Sequence, residues 1–169
     1  NNDDIFKRMK TVEIKLLETD SKIEKVLSAL ESKQIQPKQG VFFDGQIFDA
    51  HKFISDIVRS AEKSIILIDN FVDDTVLTLF SKRRQGVALK ILTKNLSKQL
   101  ILDTRKFNEQ FPPAEIKEFS YSHDRFMIID GKDLYLFGAS LKDLGKKWFG
   151  FARMDVGVAE VLTKLGRLK

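Results

Sequence analysis

An α/β fold built on a mixed sheet, preceded by one long helix, is the architecture this chain predicts. Three observations carry it. From the N-terminus to Pro37 there is no Pro or Gly, and apolar residues recur at coiled-coil spacing. Short runs rich in β-branched residues then alternate with helix-like segments closed by Gly or Pro. Later, two apolar runs are joined by Gly131-Lys132-Asp133, the mark of a hairpin. Alternation first and a hairpin afterwards encodes a mixed sheet with helices packed on it.

The bulk properties bound the rest. A chain of 169 residues suits one domain with an appendage. With 43% hydrophobic and 31% charged residues, it can bury a core and stay soluble. A net charge of +5 and a pI near 9.3 favour anionic partners such as nucleic acid or phosphate esters. The absence of cysteine excludes disulfides and thiolate metal sites. The two histidines, His51 and His123, are far apart, which argues against a histidine metal centre within one chain. No cofactor is called for. No apolar run reaches membrane length and no signal peptide is visible, so the expected location is the cytoplasm, without a membrane partner. The chain opens on Asn-Asn-Asp-Asp rather than Met and is expected to be part of something longer.

Residues 4 to 33 read as one helix. Ile5, Met9, Val12, Leu16, Thr19, Ile23, Val26 and Leu30 recur at alternating steps of four and three. Met9, Leu16, Ile23 and Leu30 take position a; Ile5, Val12, Thr19 and Val26 take d. In a parallel pair, Arg8 at g then faces Glu13′ at e, and Lys15 faces Asp20′. The signs are opposite in both cases, so the pattern predicts a parallel homodimer with Thr19 as the weak point of its seam. A single amphipathic helix packed on its own domain would show the same periodicity. The expected organisation is a coiled-coil helix over 1–35, a polar linker over 36–40, and a globular part over 41–169.

Within the globular part, Val41 to Ile47 carries a Phe-Phe-Asp-Gly turn signal and predicts a short strand or hairpin. Asp49 is placed to N-cap a helix running to about Glu62, with His51 as a neutral surface residue in its first turn. Ser64 to Asn70 reads as a strand buried on both faces. Asp69 and Asn70 close it where open α/β sheets place ligands, although either could simply cap a turn. Asp73 or Asp74 caps a helix to Gln85, with Lys82, Arg83 and Arg84 in its last turn and Gly86 beyond. Val87 to Thr93 is a second core strand. Ser97 starts a helix through Phe111 that Pro112-Pro113 ends, and Glu115 to Phe119 is a short strand. A strand over 124–130 pairs with Leu134 to Gly138. Lys142 to Lys147 is a basic loop, Phe149 to Met154 another strand, and Val158 to Leu168 a terminal helix.

The strand over 124–130 carries the chemistry. His123 and Arg125, two apart along an extended chain, project to the same side, where they could meet an anionic group. Asp130 falls on the other side and could support the site only from the strand end, at the Gly131 turn. The plainer reading is a half-buried hairpin that happens to carry a histidine.

The arrangement His123-x-Arg125-x4-Asp130, followed after a hairpin by Gly138-Ala139-Ser140-Leu141-Lys142, resembles the phospholipase D superfamily. That family's signature is His-x-Lys-x4-Asp with a downstream Gly-Ser-x-Asn turn. His123 and Asp130 match in identity and spacing. Arg125 stands at the lysine position, Ser140 matches the serine, and Lys142 replaces the asparagine. The resemblance covers about residues 41–155 and implies a phospholipase D-like fold. It also implies a catalytic His123 and Asp130, and phosphate contacts from Arg125, Ser140 and Lys142. In such a site one histidine attacks phosphorus and a second protonates the leaving oxygen. With one motif per chain, the second must come from another copy. Residues 69–78 and 138–149 also resemble the C-terminal module of bacterial and phage proteins that carry a KilA-N-type DNA-binding domain. The expected function is therefore a homodimeric phosphodiesterase, nuclease-type. The alternative is a non-catalytic dimerisation or anion-sensing module of a DNA-binding regulator. A plain coiled-coil adaptor would explain 4–33 but not the strand.

Overall fold

In the computed structural model, which describes residues 1–32 and 37–167, the chain divides into two units at Pro37 and Lys38. The first unit is a single helix, α1 (Asn2–Ser32). Every described side chain on it is exposed, including Ile5, Met9, Val12, Leu16, Ile23 and Val26 of the heptad pattern. Residues 33–36, which include part of the expected linker, and the side chain of Leu30 lie outside the described residues.

The second unit is built on a seven-stranded sheet. In chain order it runs β1 (Gln39–Phe42), α2 (Ile47–Ser60), β2 (Ser64–Ile68), α3 (Asp74–Phe80), β3 (Ala88–Thr93), α4 (Lys98–Gln110) and β4 (Ala114–Glu118). Then follow β5 (Arg125–Ile129), β6 (Asp133–Phe137), a 3₁₀ turn at Leu141–Asp143, β7 (Phe149–Met154) and α5 (Val158–Arg167). The spatial order is β1-β7-β6-β5-β2-β3-β4. β2, β3 and β4 are parallel, and β5, β6, β7 and β1 pair antiparallel in succession. The parallel half comes from the strand–helix–strand alternation and the antiparallel half from the hairpin, the mixed sheet the sequence predicts.

Side-chain alternation divides the sheet cleanly. Ile65, Leu67, Leu89, Ile91, Met127 and Ile129 face one side and form the core with α2, α3 and α4. Those helices contribute Ile54, Ile57, Val76, Phe80, Leu100 and Phe107. Ile66, Lys90 and Leu92 face the other side, under Leu162 and Leu165 of α5, which buries none of its described residues. Phe42, Phe53, Phe149 and Phe151 cluster where β1 and β7 meet α2, with ring centroids 4.3 to 5.7 Å apart.

Several local expectations are corrected. α2 starts at Ile47 with Gln46 at its N-cap, so Asp49 lies in the first turn instead, where a carboxylate still suits the helix dipole. Gln46 is spoken for locally, its Oε1 accepting from Phe43 N at 2.8 Å. α3 ends at Phe80, not Gln85, so Lys82, Arg83 and Arg84 are not in a last helical turn. The reason is Arg83. It is buried, and its guanidinium donates to the carbonyls of Phe80, Val87, Pro112 and Pro113, stapling the end of α3 to the turn after α4. The histidine-bearing strand begins at Arg125, leaving His123 in the bend before it.

Asp130 ends β5 in left-handed backbone geometry, with φ 55°. Its carboxylate accepts from the backbone N–H groups of Glu62, Lys63 and Ser64 at 2.7 to 3.1 Å. These donors lie at and just before the start of β2. Burial pushes the Asp130 carboxyl up, but the amides of Ser64, Lys63 and Glu62, with Lys132 nearby, outweigh it and hold the group below its usual range. A carboxyl whose pKa is depressed in the fold contributes stability above its unfolded value and loses it as pH falls through the folded one. Asp130→Ala is expected to lower the unfolding free energy by about 1–2 kcal/mol at neutral pH. In urea denaturation run at a series of pH values, the gap from wild type should close in acid.

Candidate active site

The topology brings the carboxyl ends of β1, β2, β3, β4 and β6 and the amino ends of β5 and β7 to a single edge of the sheet. His123, Arg125, Ser140 and Lys142 all fall there. β5 runs opposite to β2, and Ile68 pairs with Phe126, so continuing the register places Asp69 beside Arg125.

Asp69 is the centre of this edge. It is 0% exposed, and its carboxylate takes three donors. Oδ1 accepts from Phe71 N at 3.0 Å. Oδ2 accepts from Leu141 N at 2.8 Å and from the Ser140 hydroxyl at 2.9 Å. The same hydroxyl is 2.8 Å from the Phe71 carbonyl. The end of β2 is thereby tied to the turn after β6, across the intervening β5. Burial drives the Asp69 carboxyl above its usual value, against the opposing pull of these hydrogen bonds and of the Arg125 charge.

The neighbouring ends are laced by asparagines. Asn70 Nδ2 donates to Ser122 O at 2.9 Å, and Asn95 Nδ2 donates to Asn70 O at 3.2 Å. This joins β2, β3 and the approach to β5. Three buried side-chain atoms make no hydrogen bond among the described residues: Asn70 Oδ1, Thr93 Oγ1 and Arg125 Nε. All three belong to this edge. Buried polar groups are almost always paired, so their concentration at one place marks it as polar ground prepared for something other than packing.

The sequence-derived candidates separate into three kinds. His123 is exposed in the bend, and Arg125 is half-buried. Lys142, also half-buried, has its ammonium 5.5 Å from the centroid of the Phe71 ring. These three lie at the same end of the sheet. Ser140 is at the same edge, but it is buried and its hydroxyl is turned inward to Asp69. Asp130 is at the opposite end of β5, on the order of 20 Å from His123 at the rise of an extended chain. Asp69 and Asn70 were secondary candidates as residues closing an apolar strand; their position is central. Asn95 carried no signal beyond following β3. Among the described residues no group of His, Asp and Glu could hold a metal. No helix there is long and apolar enough to cross a membrane.

The fold is a mixed-sheet α/β architecture. Solved structures with the same fold include NucT from Helicobacter pylori, at TM-score 0.56 and 13% identity over 78% of this chain and 94% of that one. The phosphatidylserine synthase of Haemophilus influenzae aligns at TM-score 0.54 and 12% identity, covering 78% of this chain but 37% of the other. TrmBL2, an archaeal chromatin protein described as showing a novel mode of DNA binding, aligns at TM-score 0.51 and 16% identity. That match covers 96% of this chain and 64% of TrmBL2. No protein-family model and no curated protein matches the sequence.

Because the folded Asp69 carboxyl titrates above its unfolded value, its contribution is greatest in acid and is lost as pH rises through the folded value. Asp69→Asn should therefore gain on wild type in urea denaturation as pH rises out of the carboxylate range. Asp69→Ala, which strands the amides of Phe71 and Leu141, should cost about 2–4 kcal/mol.

Proposed function

We propose that the chain is half of a homodimeric phospholipase D-like phosphodiesterase, nuclease-type, in which each copy supplies one His123. The observation that carries this reading is that His123, Arg125 and Lys142 fall at one polar edge of a phospholipase D-like sheet. In the reaction, Nε2 or Nδ1 of one His123 attacks phosphorus and the bond to the leaving oxygen breaks. His123 of the second copy gives that oxygen its proton. Water then attacks the phospho-histidine, losing a proton to the second His123 and restoring both rings. Arg125 and Lys142 hold the non-bridging oxygens, the guanidinium in a two-pronged grip that lysine could not offer. Ser140 serves the phosphate by holding the turn that carries Lys142, through Asp69. Asp130 keeps β5 in register from its far end. The exposed heptad face of α1, with opposite charges across g and e, supports a parallel coiled coil as the device that pairs the copies.

A second reading is a non-catalytic dimerisation or anion-sensing module of a phage-type DNA-binding regulator. Arg125 in place of lysine favours it, as does the match to the archaeal chromatin protein, which extends over nearly the whole chain, α1 included.

His123→Ala separates the two. The variant should lose at least 100-fold in hydrolysis of bis-p-nitrophenyl phosphate or of nucleic acid if the histidine is the nucleophile, an effect of roughly the size general acid–base and covalent catalysis provide. Equal rates for wild type and variant would sink the enzymatic reading. Light scattering should give twice the chain mass at micromolar concentration; a monomer would end the shared site. Thr19→Leu, filling the polar d position, should raise the melting temperature of that dimer without changing its mass.

A further inference from the structure

The edge that carries His123 also gathers the domain's exposed aromatic side chains. Among described residues 38–167 there are five: Phe43, Phe48, Phe71, Tyr121 and Trp148. Phe43 and Phe48 follow β1, Phe71 follows β2, Tyr121 follows β4, and Trp148 precedes β7. Folding has therefore put every one of them at the same end of the sheet, although they are scattered over 106 positions of sequence, from 43 to 148. Chance exposure would scatter them over both ends and both faces.

The flank at β1 and β7 is a built platform. Trp148 is 68% exposed, yet its indole N–H donates to Asp44 Oδ1 at 2.7 Å. Its ring meets Phe43 edge-on, centroids 4.7 Å apart at 90°. The two loops that carry these rings are locked together. Gly45 N donates to Gly145 O at 3.1 Å, and a Cβ on Gly145 would stand 2.5 Å from Ile47 Cα. Only glycine permits that approach. On the other flank Tyr121, 77% exposed, is braced by Phe119 at 5.6 Å. Between the flanks lie His123, Arg125, Lys142 and Phe71. Lys94, Lys146 and Lys147 are exposed beside them. Of the nearby carboxylates, Asp44 is engaged by Trp148, Asp69 is buried, Asp73 caps α3 and Asp143 pairs with Lys146 at 3.3 Å, while Asp74, Glu118 and Asp124 are exposed. From β7 to β4 the edge crosses five strand spacings, about 24 Å.

We propose that this edge is a binding track for an unpaired nucleic-acid strand, with bases stacked on Trp148 and Tyr121 and backbone phosphates held by the cations between them. The proposal rests on the reading of the His123 region as a phosphodiester site and names its substrate class. A small anion would need only the central cations. A duplex hides the faces of its bases, whereas a single strand offers base faces together with a phosphate at every unit, which suits rings on the flanks with cations between them. Rings already held in place by Asp44, Phe43 and Phe119 lose little freedom on binding.

The test uses the intact chain and a fluorescein-labelled oligothymidylate, followed by anisotropy. The expected result is tighter binding of that strand than of its blunt duplex or of an abasic strand of equal length. Trp148→Ala and Tyr121→Ala should each weaken it by roughly 5- to 100-fold, the range that base stacking supplies. Trp148→Phe should keep most of the affinity, and urea denaturation should show both alanine variants folded. Trp148 is the sole tryptophan, so its fluorescence should be quenched as the strand binds. Unchanged affinity in both alanine variants, or duplex bound as tightly as single strand, overturns the track. The phosphodiester site survives that result if His123→Ala still abolishes hydrolysis of bis-p-nitrophenyl phosphate. Absence of binding to any nucleic acid overturns both the track and the nuclease-type assignment. A fall in molecular mass on Trp148→Ala, with strand binding intact, would give the rings to a protein interface and overturn the track as well.

Discussion

A carboxylate withdrawn from water holds one end of this domain's sheet together. Asp69 has no exposed surface, and burying a charge is costly unless it is answered by donors. Here the answer comes from Phe71 N, Leu141 N and the Ser140 hydroxyl. Because two of those donors belong to the turn after β6, the cost of burying the group is offset only when that turn is in its place. Lys142 follows directly in the same 3₁₀ turn, and Arg125 lies in the adjacent row of the sheet. The position of the two cations thus depends on Asp69, which shares its face of the sheet with Arg125.

The opposite end of the same strand is secured in the same way. Asp130 gathers the N–H groups of Glu62, Lys63 and Ser64, where β2 begins. β2 is the strand at which the parallel half of the sheet meets the antiparallel half, and it is capped at both ends by side chains supplied from, or reaching to, the hairpin half. A one-residue slip of β5 would move Arg125 to the other face and pull Asp130 off its amides together. Register, cation placement and strand capping are a single constraint.

What surrounds this edge is unlike the remainder of the domain. The unpaired buried atoms, the asparagine ties between strand ends and the exposed rings all concentrate there. Elsewhere polar groups are used for structure, as with Arg83, whose guanidinium is consumed by four carbonyls.

Much of the fold was legible in the sequence because it is written in local periodicities. The heptads of α1, the apolar runs of β2 and β3, the Ser97 cap and the Gly131 turn each depend on near neighbours. That His123, Arg125 and Lys142 fall at one end of the sheet was legible as well, from their places along one hairpin and the turn after it. The end of α3 was not, because a buried Arg83 bonds to carbonyls thirty residues away, and no window along the chain contains both partners. Nor was the role of Asp69, whose decisive donors are some seventy residues distant. The different parts played by Ser140, Lys142 and Asp130 were likewise decided in three dimensions, by which end of a strand and which face of a turn each one occupies. Sequence by itself determined the elements, their alternation and the chemistry available to them. Only the tertiary structure decided which residues share the edge, because strand direction and order, not proximity along the chain, bring five aromatic rings and the histidine to the same end of the sheet.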